Sequence, residues 1–528
     1  MAWGMAADVP LEQPLALVPA GTVGERWWDR AWVDLLLVVP VLVVAWLAEL
    51  PGDSLSRSFW LDEGWVADSV RAPLGQLRLL TSSTPIGWTL LLRLVPHVGP
   101  PERLRLLPMG FAVAAALAGW LLGRQFGRVQ GLLVGLAVAV APGMLYRRSL
   151  KQYTAEVFVA LLLLWLGSRV EAQWSPRRVV TLCLACVPAM LVSNTTVFVS
   201  AAVLGALALR ELWRRDWLRL AWVLAGGAGV VAVEGLVYAT FAAGGNNAGM
   251  RAFWAHAFVP LSAGPGRAAG FVVTASRLEL ARIGFGPPLL AGALVVAGLV
   301  VLWRSGRPVV AGAVVLLAAE QVAAAAARLY PLFDIRTSMF FSVLLTACAA
   351  LAVGSFVAWA WRRAGTAPLG IAAAVLAAIL VVPAMRASQQ HQMPLSRMRQ
   401  QVDFVLANRR PGDVVVVGWI GSFMFAYYWP QQLTFAPTDL STAVDFRVTS
   451  PDPDVVLTQR GNSQIADEDA LRIATSRAHA PGNTGRIWVV LAESGDGATP
   501  WNAAIRSTGL PVAHDPRPKL LLIDGAQA

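Results

Sequence analysis

Long apolar blocks constrain this chain more than any other feature: residues 31–50, 104–122 and 366–385 each run for about 20 residues with few charges. An α-helix needs about that many apolar residues to cross the hydrocarbon core of a bilayer. Within hydrocarbon the backbone has no water to bond, so each block must satisfy its own amides as a helix. Of the 528 residues, 56% are hydrophobic and only 14% charged, which is far too apolar for a soluble domain of this size. Many tryptophans stand at block ends (Trp27, Trp28, Trp60, Trp65, Trp88), where amphipathic rings seat at the membrane interface.

The net charge of +11 does not point to nucleic acid. Its arginines sit in short loops between apolar blocks: Arg124/Arg128, Arg177/Arg178, Arg214/Arg215/Arg219, Arg304/Arg307 and Arg362/Arg363. That distribution marks loops held in the cytoplasm, not a basic groove. The first block follows Glu25, Arg26, Asp29 and Arg30 and has no small-residue cleavage site, so it reads as an uncleaved first span. Three cysteines form no disulfide framework, and Cys183 and Cys186 fall within an apolar helix as structural residues.

With the arginine loops inside, the chain is a polytopic α-helical membrane protein of about eleven spans. Span 1 (31–50) leads to a long outer loop, 51–103, whose segment 85–98 reads as a helix lying on the membrane. Span 2 (104–122) returns, span 3 (129–146) goes out, and an outer turn, 147–152, precedes span 4. Spans 5 and 6 pair around Ser193 to Thr196; span 7 (220–240) exits to a loop with Gly244, Gly245, Asn246, Asn247, Arg251 and His256. Residues 328–336 then lie outside, Arg362/Arg363 inside, and everything after span 11 outside. From residue 389 to 528 the composition turns mixed. Strand-like runs at 413–418, 454–458, 486–491 and 519–523 alternate with helical stretches at 423–429, 467–478 and 501–508. That pattern predicts a C-terminal soluble α/β domain with a mainly parallel sheet. No glycine-rich nucleotide fingerprint follows any of these strands.

Three polar clusters carry the chemistry. Asp62 and Glu63 stand just outside span 1, between Trp60 and Trp65, and acids so close to lipid ask for a reason. Arg147, Arg148 and Lys151, with Tyr153 and Glu156 following, place three cations on the outer side against the positive-inside bias, which a bound anion would offset. Arg328, Tyr330, Asp334 and Arg336 form the third cluster, in which the arginines suit a phosphate through charge-assisted bonds. All three fall at one membrane surface. An acidic pair with two basic clusters there describes a site for a phosphate-bearing lipid and a polar acceptor. A carboxylate would take the acceptor's proton while the cations stabilise the departing phosphate.

These residues resemble the GT-C superfamily of polyprenyl-phosphate-dependent glycosyltransferases, nearest to the protein-mannosyltransferase-like family 39 branch. The likeness is strongest at Leu61-Asp62-Glu63, at Thr84-Pro85-Ile86-Gly87-Trp88 and the residues to Arg93, at Leu150-Lys151-Gln152-Tyr153, and at 328–336. The resemblance implies Asp62 as the catalytic acid with Glu63 beside it, Lys151 and Tyr153 as donor-phosphate and acceptor contacts, and a groove between spans for the lipid tail. It also implies work on the extracytoplasmic face, with a glycan, lipid or protein as acceptor, while the residue usage, heavy in Ala, Arg, Val, Gly and Leu, points to a GC-rich bacterium and so to its plasma membrane. Two positions depart from the pattern. Ser149 stands where the family's second loop often has an acid, with Glu156 available on the same helical face, and the family's Pro-Pro-Leu-Tyr-Tyr is here Thr84 to Trp88.

The leading expectation is therefore an inverting sugar transfer with Asp62 as base and Lys151, Arg328 and Arg336 on the phosphate. A transporter or flippase would instead use the intramembrane acids Glu234 and Glu320, but no repeated halves support it. An inactive scaffold binding cell-wall partners is the third alternative. Metal use stays open: Asp62 and Glu63 offer hard oxygens suited to Mg or Mn, yet two adjacent carboxylates do not define a site.

Overall fold

The computed structural model describes residues 31–81, 84–96, 99–243, 248–364, 396–438, 446–459, 465–481, 485–493, 498–511 and 514–523. Expectations for the residues before position 31, for residues 244–247, for the eleventh span at 366–385 and for the junction at 388/389 lie outside these.

Helix α1 (Ala31–Ala48) leads into the long loop that carries α2 (Leu61–Arg71) and α3 (Ile86–Arg93). Then follow α4 (Leu106–Arg124), α5 (Arg128–Ala139), α6 (Tyr153–Ala172), α7 (Pro176–Val192), α8 (Thr196–Trp213) and α9 (Trp217–Val237). Next come α10 (Pro265–Arg282), α11 (Pro288–Arg304), α12 (Pro308–Ala326) and α13 (Met339–Ala364). Among the described residues six helices are long and apolar enough to cross a membrane: Trp32–Ser54, Pro101–Arg124, Thr196–Trp213, Trp217–Phe241, Pro308–Ala326 and Met339–Arg363. The chain is a multi-pass membrane protein. Local chemistry sets several helix starts: Ser175 and Asp216 accept the backbone N–H of Arg178 (3.3 Å) and Arg219 (3.1 Å), and Pro176, Pro288 and Pro308 occupy first-turn positions where no amide is missed.

Ion pairs identify the two ends of the bundle. At one end Asp34 meets Arg124 at 2.7 Å and Arg128 at 3.0 Å, and Arg210 reaches Glu211 at 3.0 Å. There too Glu171 accepts the Val309 amide at 2.9 Å, so the arginine-bearing turns gather together. The long loop at 51–103 and the turns near residues 150 and 330 gather at the opposite end.

Span 3 is shorter than its hydropathy implies. The sequence extends it to residue 146, but α5 stops at Ala139 because Pro142 disfavours helical geometry in the residue before it. The freed segment, 140–152, drops Tyr146 and Lys151 toward the end of the bundle that holds Asp62.

Close backbone contact holds α11 against α13. A Cβ built on Gly298 would lie 2.1 Å from the Cys348 carbonyl oxygen, and small residues allow this approach where no hydrophobic force joins helices. Gly298→Ala should therefore lower stability by about 1–3 kcal/mol. A thermal melt of the purified protein in detergent checks this; an unchanged Tm would show that the helices separate freely.

The C-terminal region builds a five-stranded sheet in the order β4-β1-β5-β7-β6, from β1 (Val414–Val417), β4 (Val455–Leu457), β5 (Ile487–Val490), β6 (His514–Arg517) and β7 (Leu520–Ile523). Strands β2 (Thr434–Pro437) and β3 (Phe446–Thr449) form a separate antiparallel ribbon. The sheet is mixed, not mainly parallel. β4, β1 and β5 run parallel, but only Pro518 and Lys519 connect β6 to β7, and so short a connection makes an antiparallel hairpin. β7 is then antiparallel to β5. Successive strand residues alternate between two cores. Val414, Val416, Ile487 and Val489 pack with α16 (Asp467–Ala478) and α17 (Ala498–Ser507), while Val415, Val417, Trp488 and Val490 pack with α14 (Met398–Asn408) and α15 (Trp419–Tyr428). The second core also takes in Trp65, Ala72 and Leu80, which seats this region on the loop that carries α2.

Candidate active site

The first turn of α2 carries both acids. Trp60 caps the helix, and its backbone N–H bonds the Glu63 carboxylate at 3.2 Å. Negative charge there is favoured by the free amides and the helix dipole. Glu63 is fully buried and its oxygens are heavily used: Arg105 donates at 2.8 Å and 2.5 Å, and the Leu150 amide at 2.9 Å. It ties the long loop to the start of α4 and to the 140–152 segment. Asp62 is only 5% exposed, and its Oδ2 lies 3.3 Å from Arg336 Nη1.

Arg336 comes from the turn between α12 and α13. Its guanidinium lies 5.7 Å from the Tyr146 ring and 6.0 Å from the Trp254 ring, within the reach of cation–π attraction. Lys151 is buried with its ammonium 4.9 Å from the Trp65 ring. Burial pushes the lysine's pKa below its usual value, and the charge of Asp62 opposes that shift. Tyr153, packed edge-on against Tyr146 at 6.1 Å, completes the wall. One buried carboxylate, a lysine and an arginine thus converge from three segments far apart in sequence.

The remaining candidates take other places. Glu156 sits one turn into α6, bonded by the Gln152 side-chain amide at 3.3 Å and by the Asn194 backbone, within electrostatic reach of Lys151. Arg147 makes a buried ion pair with Glu49 at 2.5 Å and also donates to the Ala139 carbonyl. Arg148 caps the end of α1 through the Ala48 carbonyl at 2.9 Å. The anion that offsets Arg147 is Glu49, supplied by the chain itself, and Arg148 lies within its electrostatic reach. Asp334 accepts the amides of Arg336 (2.9 Å) and Thr337 (3.4 Å) and so shapes the turn that presents Arg336. The Tyr330 hydroxyl donates to the Thr337 carbonyl at 2.7 Å, and burial raises its pKa well above the usual phenol value. Arg328 is exposed, in left-handed conformation (φ 57) just after α12. Among the described residues it makes no bond to Asp62 or Lys151. Glu234 and Glu320 lie partly exposed on α9 and α12, apart from this group.

Sequence reasoning missed Arg105, Tyr146 and Trp254. Arg105 carried a signal, a lone cation at the start of an apolar block; the two aromatics carried none. It also missed how the C-terminal region is fastened. Tyr428 accepts the Phe59 amide at 2.7 Å and donates to Glu102 at 3.1 Å, and Arg399 pairs with Glu102 at 2.9 Å. Among the described residues no group of three or more His, Cys, Asp or Glu gathers as a metal site.

This architecture, a helical membrane bundle with a loop-borne acid and a C-terminal α/β region, is the GT-C fold. Among solved structures it is similar to ArnT from Cupriavidus metallidurans bound to undecaprenyl phosphate, at a TM-score of 0.51 and 14% identity, covering 94% of this chain and 98% of that one. It is also similar to the archaeal oligosaccharyltransferase AglB from Archaeoglobus fulgidus in complex with an inhibitory peptide and a dolichol-phosphate. There the TM-score is 0.50 at 12% identity, over 88% of this chain and 70% of that one. At such identities the likeness is one of fold. No protein-family model matches the chain, and no curated protein matches it by sequence.

Proposed function

We propose that this protein is a membrane glycosyltransferase that moves a sugar from a polyprenyl-phosphate donor to a hydroxyl acceptor, with Asp62 as general base. The observation that carries this reading is the buried Asp62 carboxylate facing Arg336 at 3.3 Å beside the buried Lys151. The lipid phosphates bound in ArnT and AglB support the donor class. The positive-inside bias puts the arginine turns in the cytoplasm and the site on the outer face.

In the proposed reaction Asp62 accepts the proton of the acceptor hydroxyl as its oxygen attacks the anomeric carbon. The carbon–oxygen bond to the phosphate breaks on the opposite side, which inverts the centre. The polyprenyl phosphate leaves with its electron pair, its charge met by Lys151 and Arg336. Glu63, held by Arg105, keeps α2 in position and touches no reacting atom.

Donor binding tests the cationic half of the site. Undecaprenyl phosphate should bind the purified protein in detergent, and Arg336→Ala should weaken it about tenfold or more, the loss expected for one charge-assisted bond. Because burial depresses the pKa of Lys151, its cation is lost sooner than an exposed lysine's as pH rises. Binding should therefore fall on the alkaline side, and Lys151→Arg should move that fall to higher pH. Transfer itself is read by supplying polyprenyl-phosphate-linked sugars to the protein in detergent, where a transporter yields no product. A folded preparation that binds undecaprenyl phosphate yet forms no glycosylated product from any donor would sink the enzymatic reading.

A further inference from the structure

A cleft lies on another side of α2 from Asp62. Asp68 follows Asp62 by six residues, a rotation of about 240° around a helix, so the two carboxylates face different ways. The cleft holds about 590 Å³, within the roughly 300–1,000 Å³ of ligand pockets, and is lined by Asp68, Arg71, Tyr427, Trp429, Gln432 and Phe435 among others. It opens between the outer loop and the C-terminal region.

Two buried polar atoms of its lining find no hydrogen-bond partner among the described residues. They are Asp68 Oδ2, on a residue 1% exposed, and Trp429 Nε1, on a residue 2% exposed. Leaving such atoms unpaired costs about 1–3 kcal/mol each, so both call for a partner. Arg71 does not supply one to Asp68 Oδ2. Its guanidinium donates to the Tyr427 carbonyl and lies 4.0 Å over the Tyr427 ring. The unmet groups are an indole donor and a carboxyl oxygen. Burial raises the Asp68 pKa well above its usual value, against the opposing charge of Arg71, and so favours the neutral acid. A phosphate accepts from the indole, and from the carboxyl only while it is protonated, whereas an ionised Asp68 repels it. A hydroxyl both donates and accepts, and several hydroxyls on an apolar ring frame suit a cleft with aromatic walls and the amide of Gln432 at its exposed rim.

We propose that this cleft is a binding site for an uncharged, hydroxyl-rich ligand, a neutral glycan segment, separate from the site at Asp62. Asp68, Trp429 and Gln432 provide its polar contacts. The ligand bridges the outer loop and the C-terminal region, both of which line the cleft. Where the transfer reading also holds, this is the site that grips the acceptor glycan beyond its reacting hydroxyl; glycan binding itself does not depend on transfer.

The test uses the full-length protein purified in detergent and neutral tetrasaccharides of glucose, galactose and mannose, with the matching sugar phosphates as controls. Binding is followed by saturation-transfer NMR and titration. Saturable binding of at least one neutral tetrasaccharide is expected. It should weaken at least tenfold in Asp68→Leu and in Gln432→Ala and persist in Asp62→Asn. Gln432 is exposed, so its variant keeps the test valid if Asp68→Leu fails to fold. A cleft that holds only water, with no neutral tetrasaccharide bound, would overturn the proposal. So would binding indifferent to Gln432→Ala, binding confined to sugar phosphates, or binding lost in Asp62→Asn. Glycan binding without any transfer product would refute the enzymatic reading alone.

Discussion

Asp62→Asn should reduce sugar transfer by about 10²- to 10⁴-fold, the span a positioned general base contributes. The substitution keeps the shape of the side chain, and its amide oxygen still accepts from Arg336, whose guanidinium only donates. What it removes is the capacity to hold the acceptor's proton. The melt of the variant should match the wild type, and undecaprenyl phosphate should bind at least as well, because Arg336 loses a competing anion. Loss of turnover with donor binding intact is the signature of a missing base. Full transfer activity in a folded Asp62→Asn protein would remove Asp62 from the chemistry. Glu63 makes the contrast: its oxygens already serve Arg105, Leu150 and Trp60, so Glu63→Gln should lower the melting temperature as well as the activity.

The largest effect on stability is expected from Arg105→Ala. Arg105 is 3% exposed, and its fork reaches both oxygens of Glu63 together with the carbonyls of Ser54 (2.6 Å), Arg57 (2.5 Å) and Ser58 (3.1 Å). Its removal leaves a fully buried carboxylate without a counter-charge, a loss of about 3–5 kcal/mol. It also releases three carbonyls in the segment that leads to Asp62, so activity should fall with stability. Lysine should not rescue it, because one ammonium cannot span a planar fork of acceptors. Replacing both partners, as Arg105→Met with Glu63→Leu, should recover part of the melting temperature while leaving the loop mispositioned and transfer poor. A single Arg105→Ala variant that melts with the wild type would contradict this account of the loop.

Much of the frame could be read from the residues because hydropathy and period are local signals. The runs of valine and isoleucine at 413–418 and 486–491 became β1 and β5, and the arginine turns gathered at one end as their spacing required. Asp62, Lys151 and Arg336, from three distant segments, do converge. What stayed hidden depends on side-chain partners that no pattern in sequence records. Arg147 and Arg148 look like anion ligands until Glu49, about 98 positions earlier, is seen to neutralise Arg147. Arg328 and Arg336 look equivalent, yet the left-handed residue after α12 leaves the first exposed while the Asp334 turn delivers the second to Asp62. The sheet's antiparallel edge rests on a two-residue turn, and strand hydropathy says nothing of direction.

One structure tests the central claim most directly: the protein determined with undecaprenyl phosphate bound. The phosphate should lie within hydrogen-bond distance of Arg336 or Lys151, next to Asp62, with the lipid tail leaving between membrane helices. A phosphate found instead among Asp34, Arg124 and Arg128 at the opposite end of the bundle, or no phosphate at Asp62 at saturating lipid, would contradict it.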